Sequence, residues 1–151
     1  MTAQPKSHES IIIFDPYPRS KELIFKPRQW ERLQTLGRIV HADEGRLDPE
    51  TIDRYLPDAA ALIGQTDMPA ERLKRAKNLK AILNVEGNFL PNVDYDICFR
   101  KGIHVLAAAP AFGVVKTKAN KQEKLGWMTP EVNDRAESDM QIRRLKRLMV
   151  S

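Results

Sequence analysis

The stretch NVEGNFLPNVDYD, residues 84–96, contains the residue types of a loop that holds an anion. Gly87 lets the backbone approach a ligand without a Cβ in the way, and a helix starting after the loop would add unpaired N–H groups and a positive dipole end. Such a loop binds a carboxylate or a phosphate. Composition alone favours a plainer interpretation, in which Gly87 makes a turn, Pro91 stiffens the loop and Asn92 or Asp94 caps the helix.

Other kinds of reactive centre have little support in the sequence. His8, His41 and His104 are far apart, with no cysteine or acid at metal-ligand spacing. The chain has no G-x-S-x-G motif, and its seven glycines include no pair two positions apart, so the G-x-G-x-x-G dinucleotide loop is absent. A phospho-receiver domain needs clustered acids after its first strand and a lysine after its fifth. Here Asp15 stands alone, and residues 107–110 contain no lysine.

The elements that would position the anion-binding loop alternate regularly between strand and helix. Short, continuous apolar runs are typical of strands buried on both faces. We predict strands at residues 10–15, 38–41, 60–64, 80–85 and 103–106, separated by helices that begin near Pro27, Pro49, Pro69 and either Asn92 or Asp94. This alternation predicts an α/β fold, a flavodoxin-like, doubly wound, five-stranded parallel sheet of order 2-1-3-4-5. Ligands of such sheets bind beyond the carboxyl ends of the strands, here at residues 15–19, 64–67, 85–92 and 107–112.

The character of the chain changes after Gly113. We predict one domain over residues 1–113 and a basic, partly helical tail over residues 114–151. The tail carries nine Lys/Arg and five Asp/Glu, and so holds +4 of the net charge of +5. We interpret it as a terminal helix with a solvated basic face. Contact with a nucleic acid or an acidic membrane is the alternative, which so small an excess of charge does not favour.

Bulk properties are those of a single globular domain. The length of 151 residues fits one domain. Cys98 is the only cysteine, so no intrachain disulfide forms, as is usual in a reducing compartment. No segment approaches the roughly 18 apolar residues of a membrane span. The sequence therefore predicts a cytoplasmic protein without membrane contact.

Residues 60–110 resemble the N-terminal, substrate-binding part of the D-isomer-specific 2-hydroxyacid dehydrogenases. The segment ALIGQTDMPAERLKRAKNLKAI has the family's strand, polar loop and helix leading to Leu-Lys-x-Ile. The segment GNFLPNVDYDICFRKGIHV resembles the family's Gly, then Asn-x-Asp, then a helix ending in Lys/Arg-Gly-Ile-x-Val. AAAP stands where the chain would cross to the nucleotide domain. Over residues 10–59 the likeness is weaker.

The resemblance implies a set of substrate-binding residues. In the family, backbone N–H groups of the loop after the fourth strand hold the substrate carboxylate. By position, these correspond to Val85, Glu86, Gly87 and Asn88, and Gln65 and Thr66 would line the same cleft. The commonest family spelling of this loop is Gly-x-Asp-Asn-x-Asp. Here the loop is longer and lacks the first Asp, which leaves the choice of substrate open.

The resemblance implies only half of an active site. The family continues into a G-x-G-x-x-G nucleotide domain, which binds NAD(P) and supplies the catalytic Arg, Glu and His. Residues 113–151 resemble none of it, so we assign no catalytic residue and no cofactor to this chain. We expect a substrate domain truncated or altered in reading frame after residue 112, inactive alone, that accepts a small 2-oxo or 2-hydroxy acid.

Two alternatives remain open. The chain could be a stand-alone binding module whose basic tail recruits a partner, or one half of a split enzyme whose nucleotide domain is a separate chain. An apolar face left uncovered in the absence of that domain would favour a homo-oligomer, unless the tail helix covers it.

Overall fold

The computed structural model describes residues 9–85, 90–107 and 142–149. Within these ranges, five parallel strands form one sheet in the order β2-β1-β3-β4-β5. The strands are β1 (Ile11–Asp15), β2 (Arg38–His41), β3 (Ala59–Gly64), β4 (Ala81–Asn84) and β5 (His104–Ala107). The predicted α/β class, the parallel sheet and its 2-1-3-4-5 order are confirmed.

The helices of the described ranges are α1 (Lys21–Ile24), α2 (Pro27–Gln34), α3 (Pro49–Tyr55), α4 (Ala70–Arg75), α5 (Tyr95–Lys101) and α6 (142–149). Local side chains fix several of their ends. Asp48 caps α3 by accepting a hydrogen bond from the Thr51 N–H at 2.8 Å. Asp94, and not Asn92, caps α5, accepting from the Ile97 N–H at 3.0 Å. Gly102 ends α5 with a φ of 69°, in the left-handed region.

Both faces of the sheet are covered by helices. Alternate residues of each strand point to opposite faces, so that Ile13 and Ile82 lie in one buried cluster while Ile12 and Leu83 lie in the other. The first cluster takes its helical side chains from α3, α4 and α5 (Ile52, Leu73 and Cys98). The second takes them from α2 and α6 (Leu33, Ile142 and Leu145). The sheet is therefore doubly wound, as its continuous apolar strands predict.

The C-terminal helix is part of the fold. Ile142 and Leu145 of α6 are buried, whereas Arg143, Lys146 and Arg147 are exposed, so the basic residues face away from the sheet. The predicted domain boundary at residue 113 lies outside the described residues. None of the described helices combines the length and apolar character needed to cross a membrane.

Candidate functional site at the carboxyl edge of the sheet

Three central strands end side by side in small or polar residues. Asp15 ends β1, Gly64 ends β3 and Asn84 ends β4, and the register of the sheet pairs Gly64 with both of the others. Asp15 and Asn84 are only 3% exposed. The strand order reverses between β1 and β3, which is where folds of this class bind ligands.

The buried carboxylate of Asp15 joins two loops to the end of β1. Its Oδ1 accepts a hydrogen bond from the Leu47 N–H at 3.0 Å, in the loop after β2. Its Oδ2 accepts one from the Thr66 hydroxyl at 2.7 Å, in the loop after β3. A buried charge is costly unless its lone pairs are satisfied, and hydrogen bonds to an ionised acceptor are stronger than neutral ones. The carboxylate therefore fixes both loops against the strand.

Gly64 permits the close approach of β3 to β1 at this edge. A Cβ built on Gly64 would lie 2.0 Å from the Asp15 carbonyl oxygen, and the φ of Gly64 is 148°. One residue further on, the Gln65 N–H donates to that same oxygen at 3.1 Å. The absence of a side chain at Gly64 thus lets the loop of Gln65 and Thr66 start directly above Asp15.

Asn92 fixes the same loop from the other side. Its side-chain amide donates to the carbonyl oxygens of Gln65 at 3.1 Å and Thr66 at 3.3 Å. The backbone continues the attachment, since the Met68 N–H donates to the Asn92 oxygen at 2.7 Å and the Asp94 N–H donates to the Met68 oxygen at 3.0 Å. The loop after β3 and the segment before α5 therefore form one unit. Within the described part of the chain, the buried Oδ1 of Asn92 has no hydrogen-bond partner.

An ion pair between helices supports this unit from outside. Arg72 of α4 donates to Asp53 of α3 at 2.8 Å and also to the Asp67 carbonyl oxygen at 2.7 Å. Arg75 lies 3.1 Å from the same carboxylate. Burial raises the pKa of Asp53, but hydrogen bonds from Arg72 and Arg75 outweigh it, so the pKa is lowered overall. Asp53 thus stays ionised and holds Arg72 against the loop.

The structure describes three of the six predicted substrate-binding residues. Val85 is buried and follows β4 directly, while Gln65 is half-buried. Thr66 is buried, with its hydroxyl proton already donated to Asp15, so that hydroxyl has only lone pairs left to offer. Glu86, Gly87 and Asn88, the centre of the predicted carboxylate cradle, lie outside the described residues. The six-residue site therefore stays a prediction.

Metal and thiolate chemistry have no site in the described part of the chain. Among those residues, no group of three or more His, Cys, Asp or Glu side chains could hold a metal ion. Burial raises the pKa of the Cys98 thiol, and Asp94 raises it further. Cys98 therefore stays a protonated thiol in the core, and not a nucleophile.

Two cavities lined by described residues lie beside this edge and opposite to it. One of about 500 Å³ lies beyond β1 and β2, where Arg19 and Lys21 face three carboxylates, those of Glu22, Asp43 and Glu44. This excess of carboxylates over basic side chains disfavours the binding of an anionic ligand. Another, of about 720 Å³, lies at the amino ends of the strands. Neither of these two cavities is lined by Gln65, Thr66 or Val85, so the candidate site is defined here by strand-end geometry and hydrogen bonds.

Comparison with solved structures identifies the architecture. A phosphoglycerate oxidoreductase from Rhizobium etli matches with a TM-score of 0.56 and 33% sequence identity, over 78% of this chain and 40% of that chain. A D-mandelate dehydrogenase from Rhodotorula graminis matches at 0.50 and 13%, over 90% and 45%. An acyclic imino acid reductase in complex with NADPH and D-arginine matches at 0.51 and 12%, over 80% and 43%. No family model and no curated protein matches the chain.

The predicted resemblance is thereby confirmed: the chain is similar to one part of the D-isomer-specific 2-hydroxyacid dehydrogenases. The two matches of low identity support the fold alone. The chain spans 40–45% of the length of these solved structures. Asp15 and Asn92 are the site residues that the sequence did not assign, because their partners lie far away along the chain.

Proposed function

We propose that this chain is the substrate-binding part of a D-2-hydroxyacid dehydrogenase-like oxidoreductase. In this proposal, backbone N–H groups near Val85, Glu86, Gly87 and Asn88 hold the carboxylate of a small 2-oxo or 2-hydroxy acid, beside the loop of Gln65 and Thr66. The arrangement of loops at the carboxyl edge of the sheet is the observation that supports this proposal. The loop after β3 and the segment before α5 are joined by Asn92, at the point where the strand order reverses.

The chain in this proposal binds substrate but transfers no hydride. Hydride transfer needs a positioned nicotinamide, a cation that polarises the carbonyl and a proton donor. NAD(P) would supply the nicotinamide in the full-length family, but the sequence has no G-x-G-x-x-G loop to hold it. Among the described residues, His41 is a histidine at the carboxyl edge, exposed at the end of β2 with its Nδ1 2.9 Å from the Ala42 carbonyl oxygen.

Isothermal titration calorimetry with pyruvate and glyoxylate tests the binding half of the proposal. Because the chain would supply only half of the cleft, we expect a dissociation constant of about 1 mM, which corresponds to a binding free energy of about −4 kcal/mol. Acetate, which lacks the 2-oxo group, shows how much of the heat comes from the carboxylate alone, and Gly87→Val is the loss-of-function variant. Equal heats for wild type and Gly87→Val, or no heat with either 2-oxo acid, would reject substrate binding at this loop.

An NADH oxidation assay tests the catalytic half. The purified chain is expected to give no turnover with pyruvate or glyoxylate above the rate without protein. Turnover that depends on the protein would show that the 151 residues hold a complete active site, contrary to the proposal. Turnover that appears only on mixing with a separate nucleotide-binding chain would instead identify a split enzyme.

A binding module is the second candidate, and the exposed basic row of α6 favours it. Arg143, Lys146 and Arg147 are exposed on a helix whose other side is buried, so they share its outer face. Reversing all three charges, to Glu, should abolish capture of an acidic partner while leaving 2-oxo acid binding unchanged. If the substitutions alter neither, the basic row is only a solvated helix face.

A further inference from the structure

The carboxyl edge contains one buried charge that the proposed function has not yet used. Asp15 is 3% exposed, and its two carboxylate oxygens accept from Leu47 at 3.0 Å and from Thr66 at 2.7 Å. Burial of a carboxylate costs free energy that well-aligned donors must offset. Replacing Asp15 by an apolar residue would leave the Leu47 N–H and the Thr66 hydroxyl without their acceptor, which points to a role beyond packing.

The direction of the hydrogen bond determines what Thr66 can do. A carboxylate only accepts, so the Thr66 hydroxyl must donate its proton to Asp15. A substrate carboxylate also only accepts, and it cannot receive that same proton. The Thr66 side chain is therefore committed to the fold, and the part of Thr66 left for a ligand is its backbone.

The backbone of Gln65 and Thr66 is held between Asp15 and Asn92. On one side, the Gln65 N–H donates to the Asp15 carbonyl oxygen at 3.1 Å. On the other side, the Asn92 amide donates to both carbonyl oxygens of the dipeptide. The hydrogen bond from the Thr66 hydroxyl to Asp15 adds a contact between side chains to these backbone attachments, and losing it would loosen the dipeptide on the side of β1.

We propose that Asp15 is a positioning residue, whose buried carboxylate fixes the Gln65–Thr66 dipeptide at the corner of the substrate cleft. This inference rests on the proposed function, since the affinity it explains is that for a 2-oxo acid. Asp15 touches no substrate. It acts through Thr66, and the same carboxylate holds the loop of Leu47 in place.

Calorimetry with pyruvate tests this role in the full-length chain. Asp15→Asn keeps the size of the side chain but leaves one acceptor oxygen for two donors, and should weaken pyruvate binding at least tenfold. Thr66→Val removes the hydroxyl at constant shape and should weaken it similarly. Because both act on one contact, the double variant should bind about as well as the weaker of the two single variants. Thr66→Ser keeps the hydroxyl and should restore affinity to within twofold of wild type.

Two further controls make the result decisive. Ile52→Val, a core change in α3 of comparable size, controls for stability and should leave affinity unchanged. Urea unfolding verifies that each variant is folded, and Thr66→Val carries the test alone if Asp15→Asn is not. If wild type binds pyruvate but Thr66→Val and any folded Asp15→Asn bind within twofold of it, the positioning role is rejected. If wild type itself does not bind, it is the proposed function that fails.

Discussion

At the scale of residues, the pair of Asp53 and Arg72 connects stability to the candidate site. The side chain of Asp53 is 31% exposed, that of Arg72 16% and that of Arg75 53%. Solvent screens the outer partner, so Arg72 supplies most of the stabilisation. Since Arg72 also holds the Asp67 carbonyl oxygen, protonating Asp53 would loosen both the interface of α3 with α4 and the loop after β3.

The lowered pKa of Asp53 makes this contribution dependent on pH. A carboxyl whose pKa is lower in the folded state contributes stability above its unfolded pKa of about 3.9, and loses it as pH falls through the folded value. Asp53→Asn should therefore cost about 1 kcal/mol at pH 7 and little near pH 2, as measured by urea unfolding between those values. Asp96→Asn, the same change on the exposed side of α5, is the control. A constant difference between wild type and Asp53→Asn at every pH would contradict the expectation.

The role of a residue could be predicted from the sequence where its hydrogen-bond partner is close along the chain. Asp48 and Asp94 each bond an N–H three residues on, and such caps follow from local pattern. Asp15 bonds residues 32 and 51 positions away, and Asn92 bonds a carbonyl 27 positions away. Those contacts exist only once the strands are ordered, which is why the sequence offered Asp15 merely as a lone acid and Asn92 as a possible cap.

At the scale of elements, two glycines have different structural roles. Gly64 lies where β3 passes β1, with a Cβ position 2.0 Å from the Asp15 carbonyl oxygen, whereas a Cβ on Gly102, at the end of α5, would meet no other part of the described chain within 4 Å. Both have positive φ, so alanine strains either backbone, but only Gly64 adds a collision with an atom that cannot move aside.

Alanine at these positions should therefore differ strongly in cost. Gly102→Ala should lower the free energy of unfolding by about 1–2 kcal/mol, from the left-handed conformation alone. Gly64→Ala should cost more than about 3 kcal/mol, because the clash forces β1 and β3 apart. Thermal unfolding by circular dichroism measures both. Equal costs would mean that β3 can shift at its end without loss of pairing.

Most elements were predictable because each has a period and a boundary signal. The five apolar runs and the Asp-Pro start of α3 identified their elements to within about two residues. Helix α1 was missed, since it has four residues, no buried side chain and no side-chain cap bond. Packing of Ile24 against the second buried cluster, and of the flanking Phe25 against Phe14 with ring centroids 5.7 Å apart, holds this segment on the sheet.

At the scale of the whole molecule, α6 provides cover for the second face of the sheet. Leu145 is fully buried and Ile142 nearly so, in the same cluster as Leu83 and Val85 at the end of β4. An isolated helix of eight residues is not stable in water, so docking on the sheet is what keeps α6 folded. The sequence predicted a terminal helix with a solvated basic face, but did not indicate which face of the sheet the helix covers.

Loss of the Leu145 side chain should uncouple this helix from the sheet. Leu145→Ala is expected to cost about 2–4 kcal/mol and to increase the fluorescence of a dye that binds exposed apolar surface. Lys146→Ala, one residue on and exposed, should stay within about 0.5 kcal/mol of wild type. Sedimentation of Leu145→Ala should show self-association through the uncovered face. Unchanged stability and sedimentation would mean that α6 is dispensable.

The whole account depends on where a 2-oxo acid binds, which amide chemical shifts can map directly. During a titration of the ¹⁵N-labelled chain with pyruvate, we expect shifts concentrated at the carboxyl edge, in the amides of Gln65, Thr66 and residues 85–88, with little change at the amino ends of the strands. Shifts centred instead on Lys77, Lys80 and Lys101 at the opposite edge, or no shifts at millimolar pyruvate, would contradict the proposal that this chain is a substrate-binding half.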